Sequence, residues 1–86
     1  MKLQFTDRFT KDYDSLRDEI RAKVDSALGM LLVDPRHSSL RVKKMHRFPG
    51  VWEARVDRQH RMTFEIREDC YVMRKVGKHD ETLRQP

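Results

Sequence analysis

Cysteine is nearly absent from this chain. Cys70 is the one thiol, so no disulfide can close within it, and a reducing compartment is the expected setting. Glycine and proline are also scarce, three of each, and no two glycines are adjacent. That excludes a Gly-rich phosphate loop, an interdomain linker and a low-complexity tract. No apolar run approaches the ~18 residues of a membrane span. Met1 to Asp7 does not read as a signal peptide, so a soluble cytoplasmic protein is expected. The four histidines lack the i, i+4 or Cys-x-x-Cys spacing of a metal site. Neither a metal nor a cofactor is expected, and Cys70 reads as a small core hydrophobe rather than a nucleophile.

What the chain does have is charge, and it is unevenly placed. Its 86 residues suffice for one domain with a single small core. The net charge is +5, with 38% of residues charged. Residues 1–35 are close to neutral and residues 62–86 balance. Residues 36–61 carry Arg36, Arg41, Lys43, Lys44, Arg47, Arg55, Arg58 and Arg61 against Glu53 and Asp57 only. The positive excess is therefore central, and His37, His46 and His60 lie in the same stretch. Clustered basic charge draws in polyanions through steering and counterion release. Lys43, Lys44, His46, Arg47 and Arg58 read as contacts to an RNA backbone.

Apolar spacing divides the chain into elements. Lys2 to Phe5 is a short strand, and Thr6 or Asp7 can cap a helix in which Phe5, Phe9, Tyr13 and Leu16 recur on one face. A second helix starts near Arg17 or Asp18 and carries Ile20, Val24, Leu28, Leu31 and Leu32 at helical spacing. Asp34-Pro35 stops it, because proline disfavours the helical region for its predecessor. Arg36 to Ser39 is a loop, Leu40 to Met45 can be a strand, and His46 to Gly50 is a turn. A hairpin follows, with strands Val51–Val56 and His60–Ile66 around Asp57-Arg58-Gln59. Arg67-Glu68-Asp69 turns into a last strand, Cys70 to Val76, and Gly77 to Pro86 is a polar tail. Helices followed by a run of strands predict an α+β fold: a two-helix hairpin packed on one face of a mainly antiparallel, four-stranded twisted sheet.

The central hairpin carries the chemistry. Side chains alternate across a strand, so Trp52, Ala54 and Val56 share an oily face with Met62, Phe64 and Ile66. Trp52 is expected in the core or as a half-buried platform under the site. The other face collects Glu53, Arg55, Arg61, Thr63 and Glu65. A guanidinium suits phosphate, since its planar fork gives two parallel charge-assisted hydrogen bonds. His79, in Gly77-Lys78-His79-Asp80-Glu81, can bring an imidazole, a side chain suited to general acid work, to the same surface. His60, at the start of its strand, is expected to be exposed. A phosphodiester site is the reading, with Arg55 and Arg61 stabilising charge. Glu53 is either the general base or the ion-pair partner of those arginines.

The element order β-α-α-β-β-β resembles the RelE/ParE superfamily of bacterial and archaeal toxins. So do Trp52-Glu53-Ala54-Arg55-Val56, His60-Arg61-Met62-Thr63-Phe64 and Val76-Gly77-Lys78-His79-Asp80-Glu81. The resemblance covers essentially all 86 residues as one toxin domain. Its RelE branch implies a ribosome-dependent mRNA endonuclease, acting without metal and held inactive by a cognate antitoxin. Its partners would be that antitoxin, mRNA in the ribosomal A site and ribosomal RNA. By position Arg61 resembles the arginine that holds the scissile phosphate, Arg55 a basic residue one strand across, and His79 a catalytic histidine of some members. Glu53 stands where RelE has a second lysine. Leu83, Arg84 and Gln85 stand where many members place a Tyr or Phe. The alternatives within the resemblance are a ParE-like inhibitor of DNA gyrase and a weakened member acting in an antitoxin-bound repressor complex.

Overall fold

Thr6 decides where the first strand ends. In the computed structural model, which describes all 86 residues, β1 (Lys2–Phe5) runs into Thr6. The Thr6 hydroxyl oxygen accepts from the Phe9 N–H at 3.1 Å, capping α1 (Asp7–Asp14). Helix α2 (Asp18–Val33) has Asp18 and Glu19 in its first turn, where carboxylates complement the helix dipole. It ends before Asp34-Pro35 as the sequence predicts. Tyr13 donates its hydroxyl proton to Asp25 Oδ1 at 2.8 Å and ties the two helices together.

The remaining strands are β2 (Lys43–Lys44), β3 (Trp52–Arg55), β4 (His60–Arg67) and β5 (Cys70–Lys78). The sheet order is β1-β5-β4-β3-β2, with β1 parallel to β5 and every other pairing antiparallel. The α+β fold is as expected, and the sheet has five strands where four were expected, because the segment before the hairpin also pairs at the edge. The strand expected over Leu40–Met45 contracts to Lys43–Lys44 for a local reason. Ser38–Leu40 forms a 3₁₀ turn that buries Leu40, and Arg41 follows in the left-handed region at φ 47°. Extended pairing cannot begin until the chain has left that conformation.

The core lies between the helices and one face of the sheet. Phe9, Ile20, Val24, Leu28 and Leu31 pack against Ala54, Met62, Phe64, Tyr71, Met73 and Val76. Phe64 stacks with Trp52 (6.5 Å between centroids) and meets Tyr71 edge-on at 5.4 Å. Trp52 is thus a half-buried core residue on the helix side, not a platform beneath the arginines. Three residues of the expected apolar stripes, Phe5, Leu32 and Ile66, are exposed instead of buried in the core. Cys70 is half-exposed at the start of β5 instead of in the core.

A bulge adjusts the β4–β5 ladder. Thr63 pairs with Lys75 but Phe64 pairs with Met73, which leaves Arg74 as the extra residue. Backbone groups beside it find partners on α1's end of the molecule. The Val76 N–H donates to Asp12 Oδ2 at 3.3 Å, and the Thr6 hydroxyl donates toward the carbonyls of Met73 and Arg74.

The expected polar tail is structured. Gly77 and Lys78 complete β5, and His79–Arg84 form a third helix, α3. Six residues are too few to show helical periodicity or to hold a helix unaided. Its support is tertiary: Thr82 and Pro86 are buried against the face of the sheet that α1 and α2 leave uncovered.

Candidate functional site

On the helix-free face, the strand registers arrange the polar side chains in two rows. One row runs Lys43, Glu53, Thr63, Lys75 across β2, β3, β4 and β5; the next runs Arg55, Arg61, Gly77. Directly opposed residues hold their Cβ atoms about 4.5–5.5 Å apart. Arg55 and Arg61 are therefore neighbours on one face, as alternation predicts. Glu53 lies diagonal to Arg61 on the same surface and is only 8% exposed. A near-buried carboxylate between cationic strands is a strong local counter-charge.

Arg61 is half-buried and oriented by the hairpin itself. Its Nη1 donates to the carbonyl oxygens of Asp57 (2.6 Å) and His60 (2.9 Å). Burial, then the neighbouring Arg55 charge, pulls its guanidinium below the ordinary value; Arg41 acts in the same direction, while Glu53 and Asp57 oppose. It stays cationic at neutral pH all the same. Arg41 falls within the strand expected over Leu40–Met45 but precedes β2 in the structure, and its charge also acts on Arg61.

The turn that anchors Arg61 is built on Asp57. Its Oδ1 accepts from the backbone N–H groups of Gln59 (2.9 Å) and His60 (2.8 Å) and meets His60 Nδ1 at 2.9 Å. Lys23 Nζ on α2 approaches Oδ2 at 3.4 Å. Burial pushes the Asp57 carboxyl up, but the hydrogen bonds from the His60 ring and the Gln59 N–H outweigh it and hold the pKa at about 2. His60 is drawn in with the turn and is 7% exposed, so the expected exposed histidine is instead a structural one. An Asp three residues before a strand-starting His was the signal available in the sequence.

His79 opens α3 two residues beyond Gly77, the partner of Arg61. Its N–H donates to the Gln59 carbonyl at 2.8 Å, and its Nδ1 lies 2.8 Å from Asp80 Oδ1. The imidazole lines an open cleft of about 450 Å³ with Arg58, Gln59, Lys78, Asp80 and Glu81. Arg61 does not line that cleft, so the histidine and the arginine pair occupy adjoining positions around the β3–β4 turn.

The predicted RNA-contact residues are divided. Lys43 shares the polar face with Glu53. Lys44, one residue on, pairs with Trp52 and places Nζ 5.4 Å from that ring's centroid on the opposite face. His46 and Arg47 are exposed in the β2–β3 connection, at the end of β3 remote from Arg55. Arg58 is exposed in the β3–β4 turn beside His79. The central basic stretch therefore has one focus, Arg55, Arg58 and Arg61 around that turn, with Lys43 at its edge.

Glu65 is bound up elsewhere. It pairs with Arg67 at 2.9 Å and with Arg74, and these partners, Arg67 first, hold its carboxyl below the usual range against the effect of burial. No helix is long and apolar enough to cross a membrane.

No protein-family model and no curated protein matches the sequence. Solved structures do match. A chain of the RelB–RelE antitoxin–toxin complex from Methanococcus jannaschii superposes with a TM-score of 0.73, covering 91% of this chain and 92% of that one at 18% identity. A chain of the intact E. coli RelBE toxin–antitoxin complex gives 0.71, with 91% and 95% covered at 20% identity. YafQ from E. coli gives 0.76, with 93% and 94% covered at 12% identity. At these identities the likeness is one of backbone, and it spans nearly the whole of each chain. The fold of this protein is that of the RelE/ParE toxins.

Proposed function

We propose that this chain is the toxin of a type II toxin–antitoxin system, a cytoplasmic endoribonuclease that cuts mRNA in the ribosomal decoding site. The observation that carries the reading is the cross-strand Arg55–Arg61 pair with near-buried Glu53 beside it, on the sheet face that α1 and α2 leave uncovered. In the proposed reaction the 2′-oxygen attacks the adjacent phosphorus and the bond from phosphorus to the 5′-oxygen breaks. The products are a 2′,3′-cyclic phosphate and a 5′-hydroxyl. Glu53 takes the 2′-hydroxyl proton, and His79 delivers one to the departing 5′-oxygen. Arg55 and Arg61 bind the non-bridging oxygens as the phosphorane gathers charge. No step draws on a metal.

Arg58 and Lys43 extend the positive surface for the RNA backbone, and His46, Arg47 and Lys44 contact ribosomal RNA further out. The ribosome supplies the substrate geometry that so open a site does not. A cognate antitoxin is the proposed protein partner. Two similar chains come from complexes with an antitoxin, RelB in each case.

The test is to map 5′ ends on mRNA bound to translating ribosomes, with wild type, Arg61→Ala and His79→Ala. Wild type should produce discrete cuts, and Arg61→Ala should slow them about 10²–10³-fold. Equal cutting by Arg61→Ala would refute the site. Intact message together with inhibited gyrase would assign the ParE-like activity instead.

A further inference from the structure

The shortest α-helix of the fold carries the histidine on which the proposed reaction depends. Helix α3 is six residues long, and such a helix persists only where tertiary contacts hold it. Three seats fix it to the polar face. At its start the His79 N–H donates to the Gln59 carbonyl (2.8 Å). Past its end the Pro86 carbonyl accepts from Thr63 Oγ1 and Arg74 Nε, both at 3.1 Å. In the middle Thr82, 2% exposed, rests on Gly77.

The middle seat has a tight tolerance. A Cβ added at Gly77 would lie 3.0 Å from Thr82 Oγ1, closer than ordinary van der Waals contact, so Thr82, enclosed and 2% exposed, would have to give by a few tenths of an ångström and press on the helix that carries it. Gly77 does not have the positive φ that would itself demand glycine. What requires the missing side chain is the approach of Thr82. Gly77 is also the residue directly opposite Arg61 in the β4–β5 ladder. Thr82 lies three residues after His79, on the same side of a helix at that spacing. The contact that seats α3 is therefore beside the arginine and one turn from the imidazole.

We infer that Thr82 seated on Gly77 is the positioning device of this site, fixing the height of α3 over β5 and so the place of the His79 imidazole relative to Arg61. The inference rests on the nuclease reading for its kinetic consequence but not for its structural one. Thr82 touches no reacting atom; it acts through His79. Small displacements of a catalytic group are costly, about 10²-fold for 1 Å, so a seat with this tolerance governs rate more than binding.

The experiment compares wild type, Gly77→Ala, Gly77→Ala/Thr82→Ala and His79→Ala, with and without Gly77→Ala. Two readouts apply: single-turnover cleavage on ribosome-bound mRNA, and amide exchange of the His79 N–H in the free protein. Gly77→Ala is expected to lower kcat about 3–10-fold with KM little changed, and to speed exchange at His79. Removing the hydroxyl at position 82 should restore both. In the His79→Ala background Gly77→Ala should have no further effect, because the path it disturbs is already gone.

Unchanged kcat and exchange in Gly77→Ala would overturn the inference. So would a loss of equal size in the His79→Ala background, or failure of the double variant to recover. Should Gly77→Ala prove too unstable to study, Thr82→Gly, which empties the seat from the other side, must show the same faster exchange. Should wild type cut nothing, the nuclease reading falls, and the seat stands or falls on His79 exchange alone.

Discussion

Helices of 8 and 16 residues cover one face of the sheet, and a six-residue helix covers part of the other. The covered face is apolar and closed: Phe64, Met62 and Met73 have no exposed surface. It is held by non-directional burial, which tolerates any side chain of suitable volume. The open face is held by a few directional contacts, among them Asp57 in its turn, Thr63 and Arg74 at the Pro86 carbonyl, and Glu65 between two arginines. Directional contacts leave guanidiniums and an imidazole partly solvated, where a substrate can reach them. The same strands thus serve stability on one side and chemistry on the other.

The sharpest way to break this comparison is to truncate one residue on each face. Phe64→Ala should cost about 3–5 kcal/mol of stability, read from the denaturation midpoint, with the loss spread over the whole domain. Arg61→Ala on the opposite side should cost less, about 1–3 kcal/mol for its bonds to two turn carbonyls, despite the much larger loss of cutting. Comparable destabilisation by the two would mean that the faces do not divide the work.

Acid should separate them next. The Asp57 carboxyl is held at about 2, so its turn contributes stability that is complete above the ordinary carboxylate value and lost as pH falls through about 2. Glu65, also held low by its arginines, acts in the same sense. Unfolding free energy followed from pH 5 to pH 2 should fall by on the order of 1 kcal/mol for Asp57. Asp57→Asn should flatten that part of the profile while leaving the core's contribution intact. An unchanged slope would remove Asp57 from the account of the turn.

The smallest effect tests the β4–β5 turn, outside both faces. Glu68 has φ 53°, a conformation that costs a non-glycine residue about 1 kcal/mol. Glycine relieves that strain but loses more entropy on folding. Glu68→Gly should therefore stabilise by about 0.5 kcal/mol, visible as a small rise in Tm, and leave cutting untouched.

The hairpin's two faces are legible in the sequence, since a period of two assigns Trp52, Ala54 and Met62 to one side and Glu53, Arg55 and Arg61 to the other. Thr6 as a cap and Asp34-Pro35 as a stop were equally local. The burial of His60 is not legible there, because it depends on Asp57 folding back over a turn, which alternation does not describe. Lys43 and Lys44 looked like one patch because charge along the sequence ignores that adjacent strand residues point oppositely. The bulge at Thr63/Phe64 left no mark in residue types.

By itself, then, the amino-acid sequence determined which side chains share a strand face, where the long helices begin and end, and that two arginines stand together. Those properties follow from backbone periodicity and nearest-neighbour sterics, which need no distant partner. Tertiary structure alone decided that β1 joins β5 in parallel, that Glu53 and His60 are buried, and that residues 79–84 become a helix seated on Gly77. Each of these depends on groups far apart in the chain meeting at van der Waals or hydrogen-bond distance, which no local pattern encodes.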